Sequence, residues 1–219
     1  VFEEMKAHHE VKEWEGHLTQ WQAQRDGIAA CLETAQTFHG EATDGVMLKA
    51  GESVFFTVTD ASLIEERRGQ GHYEGHSQGF SIPVASIGGR SVRYRVGASK
   101  GHYVPGTPSP TEIDHGTIYV TNLRVIFQGA AQTRECAFDN LIGFRHDDGA
   151  GTTTFSVSNR SKPTTVHYGP KLSTDFDFRL ELAIAHFQNK VTELVAQLQS
   201  DLDHLDANKP LPPPPLPPA

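Results

Sequence analysis

Gly75-His-Ser77-Gln-Gly79 has the Gly-x-Ser-x-Gly spacing of a nucleophile elbow, in which a serine rides a strained turn from a buried strand into a helix. Asp147 and His167 follow Ser77 in the order that a hydrolase triad of this kind requires. The surroundings do not suit it. Gly69-Gln-Gly-His-Tyr-Glu, before the motif, is no buried strand, and Phe80 to Ala85, after it, reads as a strand rather than a helix. The strand-helix alternation of a parallel sheet is missing from the whole chain. With 12 histidines present, one in the right order is a cheap coincidence. Ser77 is expected in a Gly-rich loop, with no catalytic residues in the chain, and serine hydrolysis at Ser77 ranks only third among the functional readings.

Other side chains offer binding chemistry. His8, His9 and His17, with Glu4 and Glu13 nearby, share helix faces at spacings that suit metal ligands, but a solvated polar face explains them equally well. His72 and His76, in the Gly-rich stretch, have the same bland reading, so no metal and no cofactor is expected. Arg90, Arg93, Arg95 and Lys100 form the one basic concentration. Arg93 and Arg95 fall on one side of a strand, where they can receive a phosphate or an acidic peptide or simply face carboxylates on a neighbouring strand. Lys209-x-x-Pro212-x-x-Pro215 matches a basic-anchored polyproline ligand of the kind read by aromatic grooves, against the plainer reading of a spacer.

Charge bounds the partners. The chain carries a formal −8 at neutral pH. Residues 1–44 hold 3 basic and 9 acidic groups (net −6), residues 45–170 hold 12 and 11 (+1), and residues 171–219 hold 4 and 7 (−3). Bulk attraction to phosphate is absent, so nucleic acid is not an expected partner and membrane binding is expected to be weak or nil. Cys31 and Cys136 stand in no ligand or disulfide spacing. No apolar run spans a bilayer and no basic leader precedes a hydrophobic stretch. A cytoplasmic protein is the expectation, and Val1 in place of Met suggests a piece of a longer chain.

These side chains must be positioned by three regions. Residues 1–40 read as an amphipathic helix from Phe2 to about Phe38, with a heptad seam Ala7, Val11, Trp14, Leu18, Trp21, Arg25, Ile28, Leu32. Arg25 interrupts that seam, a bend is expected near Gly27, and Gly40 is the expected stop. Residues 46–168 are β-branched and aromatic, punctuated by Gly, Asn, Asp and Pro. Strands are expected near Ser53–Thr59, Ala61–Arg67, Phe80–Ala85, Ser91–Val96, Gly116–Thr121, Leu123–Gln128, Thr133–Phe138, Gly143–His146, Thr153–Ser158 and Thr164–Tyr168, with long interruptions at 69–79 and 97–112. One long helix is then expected from Ser173 or Thr174 to about Leu205, completing a domain of residues 46–206. Its seam is Leu180, Ile184, Phe187, Val191, Leu194, Leu198 and Leu205. Residues 207–219 form a disordered, extended proline-rich tail.

The clearest local signal is Gly116 to Gly129, two alternating runs that meet at Thr121-Asn122, where Asn122 tolerates positive φ and can bond its own backbone. This Gly-x-x-Tyr-x-Thr-Asn-x-Arg-x-x-Phe pattern resembles the core hairpin of bacterial pleckstrin-homology-like domains and the related GRAM domains. Glu52, Arg124 and Gly129 sit where bacterial members have similar residues. Gly79-Phe-Ser-Ile-Pro and Arg93-Tyr-Arg-Val-Gly97 resemble a branch with a long Gly-rich loop before them. The resemblance covers roughly Met47 to Ala196. It implies an α+β fold: a split β-barrel capped by its C-terminal helix. Independently of the resemblance, the two helical seams are expected to bury each other by antiparallel pairing of the N-terminal helix with the C-terminal one. The resemblance also implies no shared catalytic residues and a role as scaffold or as binder of lipid or peptide. The chain departs from the lipid-binding pattern at the expected first strand-to-strand loop, Thr59-Asp60-Ala61, which has no basic cluster. The reading is a non-enzymatic interaction or adaptor module for a protein or peptide partner. It is a monomer or a helix-mediated homodimer, with peripheral membrane or lipid-headgroup binding through Arg90 to Lys100 as the alternative.

Overall fold

The computed structural model describes residues 2–67, 72–87, 90–104 and 109–213. The chain opens with helix α1 (Phe2–Thr37), which continues as one helix through Gly16 and Gly27. Burial rises along it. Met5 and Val11 are exposed, Trp14, Leu18 and Trp21 are half-buried, and Ile28, Leu32 and Ala35 are buried. Gly40, at φ 88°, turns the chain after the helix, as its position predicts.

Among the described residues nine strands follow: β1 (Val54–Arg67), β2 (His72–Ile87), β3 (Arg90–Val104), β4 (Ser109–Thr121), β5 (Arg124–Gly129), β6 (Thr133–Ala137), β7 (Leu141–Asp147), β8 (Thr152–Val157) and β9 (Thr164–His167). Seven make one open antiparallel sheet in the order β6-β5-β4-β1-β9-β8-β7, while β2 and β3 pair only with each other. β1 is the hinge of the sheet. It pairs with β4 along its length and, from Ser62 to Ile64, with β9 on its other side. A register shift between Val58 and Ala61 lets one 14-residue strand turn the corner. Thr59 and Asp60 are therefore a bulge within β1, with Ala61 paired to Gly116, and not the expected loop, and β1 itself runs on to Arg67. The two Gly-rich interruptions are corrected where they are described: β2 covers 72–79, β3 covers 97–104 and β4 covers 109–112, with Gly75 opposite Gly101 and Gly79 opposite Gly97, while 69–71 and 105–108 lie outside the described residues. Paired glycines remove side chains from both strands at one level without breaking the ladder.

The β4–β5 hairpin is built as its sequence predicts, with Gly116 opposite Gly129. A Cβ at Gly116 would come within 2.1 Å of the Gln128 carbonyl oxygen, so this strand pair closes only with glycine there. The corner differs from expectation. Among the described residues Asn189 is the non-glycine with positive φ. Asn122 works outward instead, its Oδ1 accepting from Ser53 N–H (2.9 Å) and its Nδ2 donating to Gly51 C=O (3.0 Å). Thr121 Oγ1 holds the turn by accepting from the Leu123 and Arg124 amides.

The single long C-terminal helix is in fact two, α2 (Ser173–Phe187) and α3 (Val191–Ala207). Asn189, at φ 57°, breaks the run. α2 lies against β1, β3 and β4, and α3 crosses to α1. The two terminal helices run antiparallel: Trp21 Nε1 donates to Leu205 C=O (2.8 Å), Trp14 Nε1 to Pro210 C=O (3.2 Å), and Arg25 Nε pairs with Asp206 (2.7 Å). Arg25, the seam's apparent flaw, is thus matched across the interface. Ile28 and Leu32 of α1, Leu180 and Ile184 of α2, and Leu194 and Leu198 of α3 share one core with Phe127 and Phe155 of the sheet.

Candidate functional site

Three cations gather at the end of the sheet where β1 leaves β9. Leu63, Ile64 and Glu65 of β1, Thr133 and Arg134 at the start of β6, and Arg160 to Pro163 in the β8–β9 connection with Thr164 of β9 enclose a pocket of about 260 Å3. That volume suits a phosphate or carboxylate group more than a drug-sized molecule. The strands fix each cation. Arg160 donates to Thr164 Oγ1 (2.6 Å) and to the Glu135 carbonyl (3.1 Å), which holds its guanidinium at the mouth. Arg134 hydrogen-bonds Gln132 and lies 3.5 Å from Glu65. Lys162 is exposed on the turn. Among the described residues neither Arg160 nor Lys162 forms an ion pair with a carboxylate. A guanidinium held by neutral acceptors keeps most of its charge for an incoming anion. Cys136 is buried nearby, and burial pushes its thiol up, so it does not supply a nucleophile.

A second polar group is internal. Tyr168 OH, Thr153 Oγ1 and His146 Nδ1 follow one another at 2.8 and 2.7 Å, and His146 Nε2 lies 2.5 Å from Asp177 of α2. The order hydroxyl, imidazole, carboxylate is that of a nucleophile relay. Its location is not: Thr153 is fully buried, Tyr168 is stacked on Phe176 at 4.1 Å, and none of the four lines the pocket above. The chain of bonds ties α2 to β7 and β8. One turn along α2, Glu181 is fully buried, and its carboxyl is driven well above the usual range, first by burial and then by Asp177.

A third network, Glu52 with Arg124, underlies the β4–β5 corner. Arg124 grips the Glu52 carboxylate through Nε and a terminal nitrogen (2.8 and 2.9 Å), and its remaining donors reach Glu135 (2.7 Å) and the Met47 carbonyl (2.9 Å). Burial alone would raise the Glu52 carboxyl. The Arg124 guanidinium, the Lys49 amide and the Thr121 hydroxyl outweigh it and hold Glu52 below the usual range.

The sequence-derived candidates fall elsewhere. Arg90, Arg93, Arg95 and Lys100 are on β3, opposite Ile87, Pro83, Ser81 and His76 respectively, and their side chains lie outside the described residues. Ser77 stands opposite Ser99 in the β2–β3 ladder, not in a loop. Asp147 and His167 both pair with Thr152, one on each side of it. They are therefore two strand spacings apart, roughly 10 Å, which is no triad contact. His9 meets Glu13 at 3.3 Å on the exposed face of α1, and among the described residues no group of three His, Cys, Asp or Glu side chains is arranged to hold a metal ion. Lys209 lies 5.3 Å over the Trp21 ring, Pro212 is exposed, and Pro215 is outside the described residues. Arg134, Arg160 and Lys162 escaped the sequence reading because they come from two separate segments. The signal available was the basic turn Asn159-Arg-Ser-Lys-Pro163. Among the described residues no helix is long and apolar enough to cross a membrane. No protein-family model matches this chain, and no curated protein or solved structure matches it.

Proposed function

We propose that this chain is a non-enzymatic interaction module of pleckstrin-homology-like architecture. In this reading the Arg134-Arg160-Lys162 pocket receives an acidic or phosphorylated group of a protein partner. The seven-stranded antiparallel sheet followed directly by α2 supports the architecture, as does the hinge strand shared by both halves of the sheet. The observation that carries the function is the pair Arg160 and Lys162 at a small pocket, without an ion-pairing carboxylate among the described residues, in a chain of net −8. A negatively charged molecule leaves cations unmatched where an anion is to be received. The same overall charge opposes an extended anionic bilayer more than it opposes a single acidic group on a protein. With the α1 seam from Ile28 onward and the Leu194–Leu198 stretch of α3 buried in one core within the chain, the module acts as a monomer.

Inorganic pyrophosphate serves as the first probe. It is expected to raise the melting temperature of the wild type, to lose that effect as salt increases, and to have none on Lys162→Gln with Arg160→Gln. Equal stabilisation of wild type and double variant would overturn the assignment of the pocket. Binding to phosphatidylserine vesicles lost in the same variant would replace the protein ligand with a lipid surface.

A further inference from the structure

The start of the proline-rich tail is seated on α1 by the chemistry that proline readers use. A polyproline helix has no internal hydrogen bonds, so its carbonyls are free for an outside donor, and an indole N–H is a donor only. Trp14 Nε1 donates to Pro210 C=O (3.2 Å), and the Lys209 ammonium lies 5.3 Å over the Trp21 ring, within cation-π reach. The exposure pattern has the matching period. Pro210 and Pro213 are half-buried, while Leu211 and Pro212 are exposed, which is what three residues per turn produce when one edge faces a surface.

We propose that the Trp14–Trp21 face of α1 is a polyproline-recognition surface whose occupant is this chain's own tail, bound in cis. The tail meets α1 along its Pro210/Pro213 edge. The edge that carries Pro212 faces away, but Lys209 is shared. A groove that reads Lys209-x-x-Pro212-x-x-Pro215 must first take Lys209 from Trp21. The contact therefore holds the tail's ligand motif in check.

The chain contains two tryptophans, and both are at this site, so intrinsic emission reports on it directly. The full-length variant Lys209→Gly with Pro210→Gly, Pro212→Gly and Pro213→Gly is expected to keep its helicity and shift its tryptophan emission to the red. A synthetic peptide, Lys-Pro-Leu-Pro-Pro-Pro-Pro-Leu-Pro-Pro-Ala, should reverse that shift and bind the variant at least about tenfold more tightly than it binds wild type, where the tail competes at millimolar effective concentration. Adding Trp14→Phe, which keeps an aromatic ring, removes the donor and leaves Trp21 as the reporter, should abolish the reversal. Unmoved emission, no reversal by roughly millimolar peptide, equal binding to wild type and variant, or full reversal with Trp14→Phe would each overturn the proposal. Wild-type emission that depends on protein concentration would place the tail on a second copy and overturn cis binding.

Discussion

Replacing Arg124 by Met isolates the ion pair beneath the β4–β5 corner. Methionine retains most of the stem volume, so the change removes charge and hydrogen bonds with little loss of packing. The Glu52 side chain is fully shielded and Arg124 is one-tenth exposed, so their contact is not discounted by solvent. Removing one member of a buried pair costs about 3–5 kcal/mol, because the other is left uncompensated. Loss of the more exposed Glu135 contact adds roughly 0–1 kcal/mol. Urea unfolding near pH 7 should therefore place Arg124→Met about 3–6 kcal/mol below wild type, with partial recovery in Glu52→Gln/Arg124→Met, where no charge remains buried. The pH dependence has a definite sign. Glu52 is held below its ordinary value, so its contribution is fully present above about pH 4.3 and is lost as pH falls through the folded-state value. In Arg124→Met the burial that raises this carboxyl is opposed only by the Lys49 amide and the Thr121 hydroxyl, so the variant gains less stability than wild type as pH climbs. The gap must narrow on acidification. A deficit under about 1 kcal/mol near pH 7, or one that is constant down to about pH 3, would refute the argument.

Glu181 gives the opposite sign. Its folded-state carboxyl is raised by burial and by Asp177, so it lowers stability above the unfolded-state value, and Glu181→Gln should stabilise the protein by about 1–3 kcal/mol near pH 7, an advantage that vanishes below about pH 4. Chemical denaturation at the two pH values reads this directly, and a destabilised Glu181→Gln at neutral pH would mean that the carboxyl is ionised against a cation. Leu194→Ala, at a side chain 1% exposed between the helices and the sheet, should cost about 2–5 kcal/mol. The loss should not vary with protein concentration, since α3 meets α1 within one chain; a concentration-dependent melting temperature would point to helices shared between molecules.

The parts legible in the sequence are those where one physical signal dominates a segment. The seam from Trp14 to Leu32 needs only the 3.6-residue period, and the β4–β5 hairpin needs only alternation and a polar corner. Glycine misled where its meaning depends on a distant partner. Gly75 and Gly79 read as breakers until they are seen opposite Gly101 and Gly97. Thr59-Asp60 read as a turn because a bulge and a turn use the same residues. In the fold, Asp60 accepts from His115 at 2.7 Å on the neighbouring strand. The break at Asn189 left almost no trace: Phe187 and Val191 continue the seam on either side, and the lone cue is asparagine's tolerance of the left-handed region. The pocket was illegible for a different reason. Arg134 and Arg160 come together because the sheet curls β6, an edge strand four places from β9 in the order, back against β8, and nothing local in either segment records that curl.

The break at Asn189 explains how the terminal helices become part of the domain rather than an appendage. An unbroken helix from Ser173 would carry its second half straight off the sheet, at about 1.5 Å per residue, and leave Leu194 and Leu198 to find a partner away from the core. With Asn189 at φ 57° the helix restarts in a new direction. Leu194 and Leu198 then enter the same apolar cluster as Phe127, Phe155 and Leu180, and Ile28 and Leu32 join them from α1. Leu202 and Leu205 of α3 pack against the same cluster, so the contact between α1 and α3 continues beyond the buried core toward their far ends. Their outer contacts are a few polar ones: Trp21 on the last carbonyls of α3, Arg25 on Asp206, and Trp14 on the tail. Contacts of that kind are few and partly exposed, so they open at a small fraction of the cost of unfolding the core. The anchored base of the helices and the lightly held tail are therefore separable, and a device that releases Lys209 need not disturb the sheet that shapes the pocket.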